Sequence, residues 1–302
     1  MGRPALHIDR RRPHQRFAHS RYRAIETPRL VRYDSRMIVD IHTHLFPPRL
    51  IEERARLAVD DAMFGEMYGD PRAKMATSED LIASMDRAGV DVSVAAGFWW
   101  QDAALRAEHA AYLLDAAARY PGRIVPFVPQ SPREAAPGAA GAAIAGHGEV
   151  RVTDPAAIEV SGAPILVHCS EEVGHTYGGK AGGLTPGGLW TLLAKHANAR
   201  VIAAHWGGGF PFYALMPEVR AVIDAGRVVF DTAASSLLYS TEAPRRGIDL
   251  VGVGAVCWGS DFPLRDQTLD RAMIEASLPD QHERQMILGN NAARFLDLPA
   301  RK

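Results

Sequence analysis

The stretch MIVDIHTHLFPP, residues 37–48, decides how the rest of the chain is read. It opens as an apolar run of strand character and ends in prolines that turn the chain away. Side chains alternate along a strand, so residues two apart face the same way. His42 and His44 therefore share a face, with Asp40 one layer below. Alone, this H-x-H pattern has two readings: a metal site at the mouth of a barrel, or a strand end that happens to carry two histidines. The other strands must decide between them.

From Met37 onward, apolar segments of strand length alternate with helical patterns. The segments are MIVDI (37–41), VSVAAGF (92–98), RIVPFVP (123–129), EVRV (149–152), PILVHCS (164–170), RVIAAHW (200–206), RVVFDTA (227–233) and AVCWGSD (255–261), the fourth being weak. Helices are expected over 78–88, 102–119, 186–198, 211–225, 266–277 and 280–296. Thr77 and Asp80 make a capping-box pattern before the first of these, and Gly89 stands at its C-cap. Strands buried on both faces and separated by helices form parallel sheet through right-handed crossovers. Eight such units predict an α/β fold, a (β/α)8 TIM barrel with a weak or degraded fourth strand, as one domain over residues 37–302. An open doubly wound sheet is the competing architecture, and it would lack the feature described next.

In a barrel, chemistry gathers at the C-terminal ends of the strands. His42 and His44 end the first strand, His168 the fifth, His205 the sixth and Asp261 the eighth. Twelve histidines exist; three precede residue 37, and four of the other nine fall at strand ends, which scatter does not readily produce. Taken singly, His168 reads as a core histidine and Asp261 as a helix cap. Together, His42, His44, His168 and Asp261 make a site for one borderline divalent ion with a position left open, zinc by ligand softness, with manganese as the alternative. His205 lies in AAHWGGGFPF, where glycines free space and backbone N–H groups beside it. It is read as the proton-transfer residue, with a fourth histidine ligand as the alternative. Bridged two-metal barrels use a carboxylated lysine or a glutamate at the end of strand 4. The four lysines (Lys74, Lys180, Lys195, Lys302) avoid strand ends, and the fourth segment runs into RVTDP, so one metal is expected.

The 302 residues are 47% hydrophobic, enough for a large core. A net charge of −1 gives no general attraction to nucleic acid or an anionic membrane, and the expected partner is a small-molecule substrate. Charge is nonetheless uneven. Residues 1–36 hold ten Arg, no Lys and three acids, with few aliphatic residues and no apolar signal-peptide core. This basic leader is expected to be disordered: either an arm for an acidic partner, or, as preferred here, sequence upstream of a start at Met37. Cys169 and Cys257 form no motif, which points to a reducing cytoplasm. No apolar run of about 18 residues predicts a transmembrane helix.

DIHTH, ILVHCS, AAHWGGG, WGSDFP and the closing ILGNNAARFLDL resemble the amidohydrolase superfamily, in particular the amidohydrolase-related group that includes aminocarboxymuconate-semialdehyde decarboxylase. The resemblance runs from Met37 to about Leu298. It implies His42, His44, His168 and Asp261 as metal ligands, His205 as acid/base, and a zinc enzyme that is often a homodimer. Residues 131–164 depart from the family: they are short and rich in Ala and Gly where a fuller helix and a clear fourth strand are usual.

The same five residues serve two reactions. In hydrolysis of a small lactone, ester or amide, a metal-activated water attacks, and Asp261 or His205 moves the proton. In the alternative, a nonoxidative carboxy-lyase acts on an unsaturated or aromatic acid, and His205 protonates the carbon that bears the carboxylate. A third reading is a metal-binding barrel without turnover. The long loop 171–186 and the lack of an arginine near strand 2 favour hydrolysis. His175, Tyr177 and Lys180 from that loop, and Trp99 after strand 2, are candidate substrate-binding residues, each with a bland reading as loop or core. Arg265 and the pair Glu171 and Glu172 are weaker candidates.

Overall fold

In the computed structural model, residues 37–134 and 143–299 are described, and the basic leader and the Ala/Gly-rich 135–142 fall outside them. Eight parallel strands follow in chain order: β1 (Val39–His44), β2 (Val92–Ala96), β3 (Ile124–Val128), β4 (Gly146–Val150), β5 (Pro164–Val167), β6 (Arg200–Ala203), β7 (Val228–Asp231) and β8 (Val256–Cys257). Each pairs with the next. The ring closes where the chain beyond β8 meets β1: Ile41 N donates to Trp258 O at 3.0 Å and Asp261 N to His42 O at 2.9 Å. The fold is the (β/α)8 barrel that the strand count predicts. Strand 4 is indeed irregular, with a register break against β5 between His147 and Val150, and it starts three residues earlier than its sequence suggests.

Period-two burial explains why these segments are strands. Val94, Ala96, Leu166, Ile202, Val229 and Cys257 belong to one core cluster. Their neighbours Ala95, Ile165, Val167, Val201, Phe230 and Val256 belong to another, shared with Leu113, Leu189, Val219, Ile248 and Ile274 of the surrounding helices. Both faces of the sheet are therefore covered, as parallel strands require. The helix Ser78–Ala88 begins with the Thr77/Asp80 capping box and ends at left-handed Gly89. Ala103–Arg119 and Gln267–Ser277 start at the side-chain caps Asp102 and Asp266. Two helices absent from the expected set, Arg54–Asp60 and Ala62–Tyr68, bury Leu57 and Phe64 against Phe46, Phe98 and Trp100. Among the described residues, no helix is long and apolar enough to cross a membrane.

Buried polar groups tie β1 to the chain after β8. The Asp40 carboxylate accepts from Ser260 N (3.0 Å), Ser260 Oγ (2.5 Å) and Gln267 Nε2 (2.8 Å). Nearby, Asp270 Oδ1 accepts from Trp258 Nε1 at 3.0 Å, while its Oδ2 has no hydrogen-bond partner. Burial, only partly offset by the Trp258 bond, pushes the Asp270 carboxyl up to about 7. The neutral acid is thus the form that the fold favours. Its stabilisation is complete below the ordinary carboxyl pKa and is lost as pH rises through 7. In Asp270→Asn this loss disappears. The stability difference, variant minus wild type, is expected to grow by about 2 kcal/mol between pH 5 and pH 8 in urea unfolding. A difference that stays flat over that range would contradict the assignment.

Candidate active site

At the C-terminal mouth of the barrel, His42 and His44 project from the same face of β1, both buried. Their Nε2 atoms lie 3.0 Å apart. Two imidazole nitrogens converge in this way when they share a proton or point at one cation. Asp261 joins them, its Oδ1 3.3 Å from His44 Nε2 and 3.7 Å from His42 Nε2. The sequence sets this up locally: β8 is only two residues long, and the following turn places Asp261 in the left-handed region at φ 63°, held through its N–H by His42 O. Such a backbone in a non-glycine residue is sparsely populated and marks sites where surrounding structure imposes it.

Carboxylates orient two of the rings. His42 Nδ1 bonds Asp231 Oδ2 at 2.8 Å, and His168 Nδ1 bonds Glu149 Oε1 at 2.9 Å. Holding Nδ1 leaves Nε2 as the free donor atom, the arrangement typical of metal-ligating histidines. His168 Nε2 is buried with no hydrogen-bond partner. Burial alone would lower the His42 pKa, yet Asp231, Asp261 and Glu149 together push it up to about 10. Burial would likewise raise Asp261, but His42, His44 and His205 hold it well below the usual carboxylate range. The surrounding field thus favours a positive charge among these imidazoles. At His168 the balance is opposite: burial, aided by Arg151, depresses it to about 4 and keeps the ring neutral. A field that favours positive charge, a neutral imidazole at His168 with an orphaned ring nitrogen, and nearby carboxylates fit a divalent metal ion.

His205 follows β6 at the head of five consecutive left-handed residues, His205–Gly209, with His205 at φ 56°. Asp231 Oδ1 accepts from His205 N at 2.7 Å and fixes that turn. Gly208 is needed for packing, because a Cβ there would stand 2.6 Å from Ser170 O. The ring is buried, with Nε2 3.6 Å from Glu149 Oε1. Although burial works against it, Glu149, Asp261 and Asp231 raise its pKa.

A cavity of about 340 Å³ opens over this cluster. His44, His168, His205 and Asp261 line it, with Arg151 and the apolar Met67, Leu237, Leu238 and Leu264. Of the residues expected to bind substrate, His175 and Tyr177 line it too. Tyr177 OH donates to Glu171 Oε2 at 3.0 Å, and Tyr239 OH to Glu171 Oε1 at 2.7 Å, which ties loop 171–186 to the segment after β7. Lys180 instead sends Nζ to Val173 O and His175 O, both at 2.7 Å, and stabilises the loop itself. Trp99 packs, partly buried, against the core cluster between strands and helices.

Three residues escaped the sequence reading: Asp231, Glu149 and Arg151. Glu149 and Arg151 carried a signal, since they stand two apart at the end of the fourth strand, Glu149 inside it and Arg151 one residue beyond. The expectation that strand 4 does not end in a glutamate is corrected by Glu149, which lies one residue before the end of β4, 1% exposed. Asp231 closes β7 and was visible only as an acid at a strand end.

The class that fold and site define is a metal-type (β/α)8 barrel enzyme, with the chemistry of a hydrolase or a carboxy-lyase. Residues 155–298 match the amidohydrolase family, and the amidohydrolase-superfamily resemblance of the motifs holds for this chain. No curated protein matches it. Among solved structures it is similar to 5-carboxyvanillate decarboxylase from Novosphingobium aromaticivorans, complexed with manganese and 4-hydroxy-3-methoxy-5-nitrobenzoic acid (15% identity, 87% and 96% of the two chains, TM-score 0.65). It is also similar to 2,6-dihydroxybenzoate decarboxylase from Rhizobium (15%, 87% and 99%, 0.60). A third similar structure is 4-oxalomesaconate hydratase from Rhodopseudomonas palustris (14%, 86% and 96%, 0.53).

Asp231→Asn would leave His42 without its anionic partner and weaken the His205 turn. The expected result is a 10–100-fold loss of divalent-metal affinity, read by titration with a fluorescent competitor chelator. Unchanged affinity would remove Asp231 from the site.

Proposed function

We propose that this chain is a nonoxidative carboxy-lyase that removes CO2 from an unsaturated or aromatic carboxylic acid with the help of one divalent metal ion. The cavity lining carries the reading: proton-transfer and ligand-type side chains at its base, and Met67, Leu237, Leu238 and Leu264 around it. A site of that size and lining suits a small planar acid. The decarboxylases among the similar structures support it. Of the two arguments for hydrolysis, the long loop 171–186 and a missing arginine near strand 2, the second is weakened by Arg151, a buried guanidinium just past strand 4.

His42, His44, His168 and Asp261 would hold the ion, and both zinc and manganese suit this donor set. When bound, the ion supplies a fixed positive charge that holds an anionic substrate oxygen and stabilises negative charge developing beside it. Glu149 acts as the holder of His168, because Oε1 takes the His168 Nδ1 bond and Oε2 meets Arg151 at 2.7 Å. His205 donates its proton to the carbon that bears the carboxylate. The bond to the carboxylate then breaks, its electron pair returns to the unsaturated system, and CO2 leaves. Solvent restores the proton on His205. Apolar walls favour the step, since a charged carboxylate becomes neutral CO2.

A second reading, hydrolysis, has one observation in its favour. His42, Glu149 and His205 form a further three-residue group with converging ligand atoms, which shares His42 with the group of His42, His44 and Asp261. Metal content separates the two. One ion per chain, with CO2 release from a panel of aromatic and muconate-type acids, supports the lyase. Two ions about 3.5–4 Å apart, with turnover of lactones and no CO2, would overturn it.

Two outcomes are expected for the lyase. Chelation abolishes CO2 release, and manganese or zinc restores it. His205→Asn lowers kcat by about 10²–10⁴-fold while metal content stays at the wild-type level. Full activity in His205→Asn would exclude it as the proton donor.

A further inference from the structure

We infer that residues 172–182 are a lid over the cavity that opens as a unit about a neck at Ser170 and Leu184. The chain enters and leaves this stretch at one place: Leu184 N donates to His168 O and Ser170 N to Leu184 O, both at 2.9 Å. The neck is tight, because a Cβ on Gly183 would stand 2.5 Å from Ser170 Oγ. A compact surface loop whose ends meet is an Ω-loop, and it can swing without disturbing the strand that carries it. Its interior is stapled. Lys180 Nζ donates to Val173 O and His175 O, both at 2.7 Å, and lies 5.5 Å from the centre of the Tyr177 ring. These contacts stay within the loop, so its body moves in one piece.

The hold of this loop on the rest of the barrel is slight. Its sole is glycine. A Cβ on Gly178 would fall 2.8 Å from Glu66 O, one on Gly179 3.0 Å from Met67 Sδ, and one on Gly182 2.4 Å from Met63 Cε. These positions lie flat on the helix Ala62–Tyr68 and bury no side chain of their own against it. Two hydrogen bonds act as latches: Gly179 N donates to Glu66 Oε1 at 3.1 Å, and Tyr177 OH to Glu171 Oε2 at 3.0 Å. Glu171 belongs to the fixed side, since it also accepts from Tyr239 OH at 2.7 Å. Two cavities adjoin the lid. Tyr177 borders the active-site cavity and also a second one of about 320 Å³, reached by Thr153, Ser170, Thr176 and Thr185. A segment with space beside it and few packing contacts opens locally far more readily than the core. Closure also leaves a donor unsatisfied. Arg151 Nη1 is buried without a hydrogen-bond partner, and a Cβ on Gly179 would stand only 3.1 Å from it. Opening admits water to that nitrogen, which favours the open state. A lid so poised lets small molecules in and then shuts water out.

Hydrogen exchange of the full chain with manganese added, read by mass spectrometry of peptides, tests the lid. In wild type, peptides within 172–182 are expected to exchange faster than those of β5. Glu66→Ala removes one latch and raises exchange across the whole of 172–182 by about 10-fold, with β5 unchanged. Glu66→Gln keeps a carbonyl acceptor and stays within about 3-fold of wild type. Acceleration confined to peptides that contain Gly179 would show local fraying and overturn the inference, as would no change in Glu66→Ala. A second measurement asks whether the lid covers the site. Met63→Cys with Gly182→Cys joins it to the helix Ala62–Tyr68 through a disulfide. The oxidised variant is expected to lose manganese to a chelator about 10-fold or more slowly than wild type, and reduction restores the wild-type rate. Equal rates in the two redox states would contradict a lid over this cavity. Neither readout uses turnover, so failure of the carboxy-lyase reading looks different: both lid results hold while no acid in the panel releases CO2.

Discussion

The carboxylate of Asp231 is the contact on which the rest of the site depends. One oxygen fixes the Nδ1 of His42; the other accepts the backbone N–H of both His205 and Ala233, at 2.7 and 3.1 Å. A single buried anion thus sets a ring on β1 and the turn after β6, although its own strand is β7. A neutral side chain would satisfy part of this geometry but not the field. Three acids, Asp231, Asp261 and Glu149, surround the imidazoles in a region closed to water, where unscreened charges act strongly. Cation binding at this mouth is a property of that whole arrangement rather than of the H-x-H pair.

Much of this was legible because a parallel barrel writes itself twice. Strands covered on both faces give apolar runs, and catalytic groups gather where those runs end. The positions of His42, His44, His168, His205 and Asp261 along the chain followed from that rule alone. Even so, His205 and Asp261 lie beyond their strands in left-handed turns, so the regular alternation that placed His42 and His44 does not orient them. Their direction comes from Asp231 and from the backbone of β1, contacts that a one-dimensional pattern does not carry.

Strand 4 was hard to read for a physical reason. Its sequence, GHGEV, has glycine where the other strands have aliphatic residues. Those glycines are required by close approach. A Cβ on Gly146 would fall 2.4 Å from the Phe127 ring, and one on Gly148 would fall 2.5 Å from Leu166 O. The hydrophobic alternation that announces a strand is therefore missing where neighbouring strands approach these two positions closely. The reading slid three residues downstream and put Glu149 at the start of the strand instead of near its end. The acid that orients His168 and the cation beside it were hidden by one displaced boundary.

That displacement bears on function as well as on fold. With Glu149 and Arg151 in place, the mouth of the barrel has two charged poles of different character: the converging ligand atoms of His42, His44 and Asp261, with His168 lining the cavity beside them, and a guanidinium with one nitrogen unpaired. Glu149 contacts both poles and keeps them apart, binding His168 with one oxygen and Arg151 with the other. Without it, the buried guanidinium would lie next to an incoming cation with nothing between them, and each positive charge would weaken the other's hold.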